Sequence, residues 1–407
     1  MRILFLSYWG FNDPLTTATV LPHLRVLHAR ADVAAIRLVT VERGQDALRP
    51  PTLHLPFENT KIDFEPLLSP PGQSVLVNKT NDFRRFPREL ATQATLFQAD
   101  FIIARGAPAG ALAYLVQRLT GLPFYVESFE PHAEYMRKSG VWRWYDPRYI
   151  FQQYWENQQK KRAAGLMPVA ENYRRQLIAE GVPPPRVITV PCSVNLNDFA
   201  FNPTVRYQKR QYLGLSTDAL VGVYVGKFGG IYYDDEAFQL FRDTADFFGP
   251  TFRLLLLTAQ PPAEVQKKLA AVGFNPSHVT IRLAPFAEVP DYLAAADFAF
   301  SLHKPTPYVS PIKIGEYWAS GLPVLLTEGV GDDSDIILVE GGGAVFNLAK
   351  PGSVGQALVA IRGQLLDPAH RSVIRELAVR HRSVERAREA YAALLPVGEK
   401  ARNAAAA

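Results

Sequence analysis

The sequence predicts an α/β protein built from two doubly wound domains in tandem. Three observations carry this. Short apolar runs alternate with helix-length stretches along the chain, the runs fall into two sets of six, and 407 residues exceed what one hydrophobic core serves. Single cores stop growing near roughly 250–300 residues.

In the first half the runs are Ile3–Ser7, Ala34–Val41, Phe101–Ala104, Phe124–Val126, Gly165–Val169 and Val187–Val190. In the second half they are Leu220–Val225, Phe252–Leu257, Val279–Leu283, Phe298–Ser301, Pro323–Leu326 and Ala344–Phe346. Their Val, Ile, Leu and Phe content suits strands buried on both faces of a parallel sheet. Between them, Ala109–Thr120, Ala170–Glu180 and Ala263–Val272 are long enough for crossover helices. The rhythm breaks over Asn197–Pro203, placing a boundary near Phe199–Tyr212. The expected division is a first domain over 1–200, a second over 201–380, and a closing segment over 381–407. A last helix is expected over Arg371–Leu395, with the low-complexity end Ala404–Ala407 frayed. Ligands of such sheets bind at the carboxyl ends of the strands, so a cleft between the two domains is the expected site.

Composition narrows the function classes. No apolar run approaches the ~20 residues needed to span a bilayer. Met1–Ser7 reads as a first strand rather than a signal peptide. Cys192 is the only cysteine, which excludes an intrachain disulfide and a cysteine metal cluster and favours the cytoplasm. As a single thiol it is read as a small buried hydrophobe, with a nucleophile as the rarer reading. The net charge of +5 lies in residues 1–200, which hold 23 Lys/Arg against 18 Asp/Glu. Two readings are open: a partner bearing phosphate or an anionic membrane surface, or a simple contribution to solubility. No Gly-x-Gly-x-x-Gly follows the first strand, which argues against a dinucleotide enzyme. No nucleic-acid recognition module is visible. Asp332-Asp333-Ser334-Asp335 reads as a solvated loop rather than a metal motif, so no metal is expected.

Three stretches resemble one family, the retaining GT-B-fold glycosyltransferases (bacterial family 4-like, group 1). The first runs from Gly165-Leu166-Met167-Pro168-Val169-Ala170-Glu171-Asn172-Tyr173 through Glu180-Gly181-Val182-Pro183 to Val190-Pro191-Cys192-Ser193-Val194-Asn195-Leu196-Asn197-Asp198-Phe199. The second is Val223-Tyr224-Val225-Gly226-Lys227. The third, and most specific, is Ser310-Pro311-Ile312-Lys313-Ile314-Gly315-Glu316 followed by Tyr317–Val324. The resemblance is firmest over 160–330 and faint over 40–100. It implies two Rossmann-like domains facing a cleft, a C-terminal helix crossing back to the first domain, and a sugar moved from a nucleoside-diphosphate donor to a glycan, lipid-linked or other small acceptor.

The resemblance also implies roles. Lys227, after Gly226 at a strand end, is expected on the donor diphosphate. Lys313 and Glu316 share a helical face, with Lys313 on the phosphates and Glu316 accepting from the ribose hydroxyls. Charge building on the leaving diphosphate then meets cationic side chains and helix N–H groups instead of a metal. Ser310 and Ile312 belong to the same stretch. Two positions depart from the pattern. Tyr308 stands where the family often carries a second Glu, so Tyr308, His303 and Ser310 are the candidates for the donor sugar. Tyr232 stands where a second Lys is common. Phe286, in Arg282–Phe286, is read either as a base-stacking ring or as core. Gly10 is all that remains of a Gly-rich first loop. Read as residues alone, Lys313 and Glu316 could equally form a surface ion pair worth a few tenths of a kcal/mol.

In the first half, Glu127–Tyr135 follows a strand and should face the cleft. His132 and Glu130 are its candidate acid/base or sugar-binding groups, against an ordinary polar loop. His132 does not align with the family's usual histidine, which would fall near Phe129. The stretches Tyr135–Tyr145 and Tyr154–Arg162 interleave aromatics with cations and hold Trp142, Trp144 and Trp155. They suit a phosphorylated acceptor or a peripheral contact with an anionic membrane, or else a long helix with its aromatics packed inward. Two rival functions stay open: a nucleotide-sugar epimerase of the same fold, and a non-catalytic sugar-nucleotide or glycan-binding homologue.

Overall fold

The computed structural model describes residues 1–13, 15–70 and 75–395, without the side chains of residues 75, 76, 77 and 79. The expected frayed end, Ala404–Ala407, lies outside the described residues. The chain divides into two compact units. The first comprises Met1–Lys138, Trp142–Ser193 and the described residues from Val384 onward; the second comprises Ser139–Val141 and Val194–Ser383.

The first unit holds strands β1 (Arg2–Ser7), β2 (Ala35–Val39), β3 (Val41–Arg43), β4 (Ile62–Phe64), β5 (Leu67–Ser69), β6 (Phe101–Arg105), β7 (Phe124–Phe129) and β8 (Gly165–Pro168). Six of them form one sheet in the order β4-β2-β1-β6-β7-β8, and β3 pairs with β5 separately. The second unit holds β9 (Leu220–Val225), β10 (Phe252–Leu257), β11 (Val279–Arg282), β12 (Phe298–Ser301), β13 (Val324–Thr327) and β14 (Gly343–Phe346), in the order β11-β10-β9-β12-β13-β14. Every pairing in both large sheets is parallel. These are two Rossmann-like sheets. The central strands are buried along their length, as a sheet covered on both faces requires.

Two expected elements differ. Val187–Val190 makes only an isolated bridge, Leu166 to Val187, although Ile188 and Val190 donate to the carbonyls of Leu166 and Pro168. Pro191 closes the segment before a regular ladder forms. The sheet's far edge is instead β4, whose Asp63 pairs with Arg37 of β2 at 2.7 Å. The expected helix over Arg371–Leu395 is broken: His370–Arg382 ends at Ser383, whose backbone is extended, and Glu385–Leu394 follows. The first helix belongs to the second unit and the next to the first.

In each large sheet the order reverses at one point, between β1 and β6 and between β9 and β12. Such switch points open crevices at the strands' carboxyl ends. The Tyr8–Phe11 loop follows β1, and Gly226 and Lys227 follow β9. No helix among the described residues is long and apolar enough to cross a membrane.

Candidate functional site

Of the expected donor residues of the second unit, Gly226, Lys227, Lys313 and Glu316 lie near one another at its switch point. Gly226 leaves β9 with φ of 152°. A Cβ there would lie 3.3 Å from the Lys313 Nζ and 3.2 Å from the Tyr224 Oη, so glycine lets the ammonium sit against the backbone at the strand's end. Lys313 lies in the first turn of the helix Ile312–Ala319, which begins directly after Pro311. That proline supplies no N–H and pre-sets the turn into the helix. The helix is fixed to β9 by Tyr317, whose buried hydroxyl accepts from the Val225 N–H at 3.1 Å.

Charge in this cluster is costly. Burial pushes the Lys313 ammonium below its ordinary range; Glu316 opposes that shift and Lys227 adds to it. Burial raises the Glu316 carboxyl to about 7, with the Lys313 charge pulling it down. Lys313 and Glu316 therefore do not form the solvated surface pair that was the alternative reading: Glu316 is 5% exposed. Lys227 is exposed, and its carbonyl accepts from the Tyr224 hydroxyl at 2.6 Å. The Lys313 Nζ lies 5.7 Å from the centre of the Tyr232 ring, so the aromatic that replaces the expected second lysine meets the first one face-on.

His303 packs its ring 4.5 Å from that of Tyr232, and the two residues bridge as an isolated antiparallel pair. Burial, aided by the Lys313 charge, drops the His303 imidazole to about 3, so it is neutral near pH 7. Its Nδ1 lies 3.2 Å from the Ser301 Oγ. Ser310 is buried and accepts from Arg382, and Tyr308 and Ile312 are half-buried beside it in sequence. Phe286 is 43% exposed and touches Phe199 edge-on at 6.1 Å, which places it outside the core while leaving a face to solvent. Asp333 corrects the expectation of a solvated loop over Asp332–Asp335. It opens the helix Asp333–Glu340 and is ion-paired to Arg382 with 1% exposure.

In the first unit the structure places Gly10 against Glu42. A Cβ at Gly10 would lie 2.8 Å from the Glu42 Oε2, while Oε1 accepts the Phe11 N–H at 2.8 Å. Glu42 is thus a buried prop for the first loop, and the Phe11 N–H is already spent.

Glu130 and His132 lie on one turn, the His132 N–H donating to the Glu130 carbonyl at 2.8 Å. Burial raises the Glu130 carboxyl to about 7, opposed by Arg105 and reinforced by Glu156. Glu156, unremarked in the sequence, comes from the helix Pro147–Arg162 and accepts the Ala133 N–H at 3.0 Å. Burial holds it near 7 as well, against hydrogen bonds from Gln152 and the backbone. Carboxyls poised near neutrality can both give and take protons. The His132 ring packs 5.5 Å from the rings of Tyr135 and Trp142.

Beneath them lies a network that sequence reasoning missed. In register across β6 and β7, Arg105 donates to Glu127 at 2.9 Å. His23 reaches the other Glu127 oxygen at 3.1 Å, and Tyr391 of the last helix donates to it. Burial alone would raise Glu127, but the His23 and Arg105 charges hold it at about 2.

Comparison with solved structures identifies this architecture. The chain superposes on HepE from Anabaena, crystallised with UDP, with a TM-score of 0.69 at 15% identity, covering 96% of this chain and 98% of that one. It superposes on sucrose-phosphate synthase from Thermosynechococcus elongatus with a TM-score of 0.71 at 16% identity, covering 100% and 99%. The fold is GT-B. The GT-B glycosyltransferase WaaG, of lipopolysaccharide biosynthesis, also matches, with a TM-score of 0.63 at 17% identity over 99% and 98%. Residues 18–193 match the glycosyl transferase 4-like domain family, within the first unit of the GT-B chain. No curated protein matches by sequence.

Proposed function

We propose that this GT-B chain is a glycosyltransferase that moves a sugar from a nucleoside-diphosphate donor to a glycan, lipid-linked or other small acceptor, with retention at the anomeric carbon. The observation that carries the reading is the convergence of Gly226, Lys313 and Glu316 at the β9–β12 switch point. Two ammonium groups and the first turn of a helix suit a diphosphate. A carboxyl poised at about 7 can accept from two ribose hydroxyls once the ligand's polar groups solvate it. That HepE was crystallised with UDP, and with UDP-glucose, supports a uridine donor. Phe286, exposed on one face, is proposed to stack on the base, and His303, Tyr308 and Ser310 to meet the sugar. Gly10 is proposed to let the backbone of the first loop approach a phosphate group.

Leaving-group charge is met by Lys313 and Lys227, so the transfer is proposed to proceed without a metal. Glu130 and His132 are proposed as the first unit's acid/base or acceptor-binding groups. Peripheral contact with an anionic membrane from the cytoplasm is proposed through the helix Pro147–Arg162 and the loop before it. There Trp144 is 73% exposed, and Tyr145, Ile150, Phe151 and Tyr154 are exposed among Arg143 and Arg148. Trp155 instead packs inward on Phe83 and Tyr114, so the aromatics divide between surface and core. A putative UDP-N-acetylglucosamine 2-epimerase from Listeria monocytogenes shares the fold with a TM-score of 0.62 at 14% identity over 98% of both chains, which keeps the epimerase as the second reading.

One assay separates these readings. UDP-, GDP-, ADP- and TDP-sugars are incubated with and without glycan and lipid-linked acceptors, with EDTA present, and nucleotide release is scored. A transferase releases nucleotide in an acceptor-dependent way, and Glu130→Gln and His132→Ala lower that turnover while nucleotide affinity stays. Conversion of the donor sugar without acceptor establishes the epimerase, and binding without turnover the non-catalytic homologue. Sedimentation with phosphatidylglycerol vesicles, absent with phosphatidylcholine and lost in Trp144→Ser/Phe151→Ser, tests the membrane contact. Equal binding to both vesicles refutes it.

A further inference from the structure

Arg382 is the last residue of the helix His370–Arg382 and is 3% exposed. Its guanidinium donates to the Ser310 hydroxyl through one nitrogen and to the Asp333 carboxylate through another. Ser310 opens the stretch that leads into the helix Ile312–Ala319, and the same arginine runs along that helix. A Cβ at Gly315 would lie 3.3 Å from the Arg382 Cγ, and the guanidinium carbon sits 6.0 Å from the Trp318 ring centre. A side chain at 315 would press the arginine stem aside by a few tenths of an ångström. The Arg382 carbonyl accepts the Val194 N–H at 2.8 Å. Val194 is where the chain enters the second unit after Ser193, and Arg382 stands one residue before Ser383, where it leaves. One side chain thus grips the entrance, the middle and the flank of the Ser310–Glu316 segment, while its backbone ties together the two ends of the unit's chain.

We propose that Arg382 is a positioning residue for the Lys313–Glu316 clamp, setting nucleotide affinity without touching the nucleotide. The proposal rests on the donor-site reading above. Asp333 is its counter-charge: by holding one terminal nitrogen it orients the planar fork so that the other terminal nitrogen faces Ser310. Loss of the fork frees the turn at Pro311 and lets Lys313 and Glu316 wander from the strand end at Gly226. Preorganised groups lose affinity when their supports go, even with every ligand contact still encoded.

The test compares wild type with Arg382→Met and Asp333→Asn, the latter retained in case the arginine variant fails to fold. The first readout needs no ligand: hydrogen exchange of the amides over 312–316 against that of β9 and β10. The proposal expects at least tenfold faster exchange over 312–316 in both variants, with the strands unchanged. The second readout is the dissociation constant for whichever of UDP, GDP, ADP and TDP stabilises the wild type. It should rise about tenfold in Arg382→Met and several-fold in Asp333→Asn, with the double variant no weaker than Arg382→Met alone. A purely structural role predicts uniform loss of protection and unchanged affinity per folded molecule, and that result overturns the proposal. If no nucleoside diphosphate binds the wild type, the donor reading fails, while the exchange readout still decides whether Arg382 holds this segment.

Discussion

Replacing Lys313 by alanine should weaken nucleoside-diphosphate binding by about 10- to 100-fold while the fold persists. Hydrogen bonds to charged groups contribute about 1.5–3 kcal/mol, and each 1.4 kcal/mol is about tenfold in affinity. On the proposed reading, the environment of Lys313 suits an incoming anion. Its ammonium is penalised by burial and by the Lys227 charge, with Glu316 as the partial remedy. A diphosphate reverses that balance by supplying two or more negative charges where water has been excluded. Alanine removes a group that is expensive to bury, so the unfolding midpoint should hold or rise. Titration calorimetry with the nucleotide, paired with a circular-dichroism melt, measures both quantities. An unchanged dissociation constant in a folded variant removes Lys313 from the site.

The largest effect on stability is expected from Glu127→Gln, at about 3–5 kcal/mol, because removing one partner of a buried pair strands the other charge. Arg105 is 3% exposed and His23 is 2% exposed, so neither can turn to water. The pH dependence has a definite sign. The folded carboxyl, at about 2, lies below the ordinary value of 4.5, so the stabilisation is present in full above 4.5 and is lost as pH falls through 2. Wild type should therefore lose stability between about pH 4.5 and 2, and the glutamine variant should lose less over that window. Urea unfolding at pH 7 and at pH 3 reads this out. A cost under 1 kcal/mol at pH 7 would mean that the network is energetically inert.

The second unit was nearly transparent in the sequence, and the reason is physical. Its inner strands β10, β9, β12 and β13 are largely buried, so each writes itself as a nearly unbroken apolar run. The edge strand β4 was opaque because Ile62 and Phe64 are separated by Asp63, which serves the ion pair with Arg37. Lys313, Glu316 and Gly226 stood out through the family resemblance of their stretches; spacing alone left Lys313 and Glu316 equally readable as a surface pair. Glu156 and Glu127 were not. Glu156 sits in a polar helix with no local sign that its carboxylate caps the Ala133 N–H. The Glu127 network joins His23 to Tyr391 across 368 positions, a separation no local pattern spans. Arg382 was hidden for a related reason: the sequence suggested one continuous helix through it, whereas the chain turns at Ser383.

That turn has a consequence for how the molecule is made. The first unit is assembled from both ends of the chain, and Tyr391 is among the groups that hold the buried Glu127. During synthesis the second unit, continuous from Val194 to Ser383, is complete before Tyr391 exists. The polypeptide that begins first is therefore finished last. Until the final helix leaves the ribosome, one buried acceptor of the N-terminal sheet waits for a donor that is 264 residues behind it.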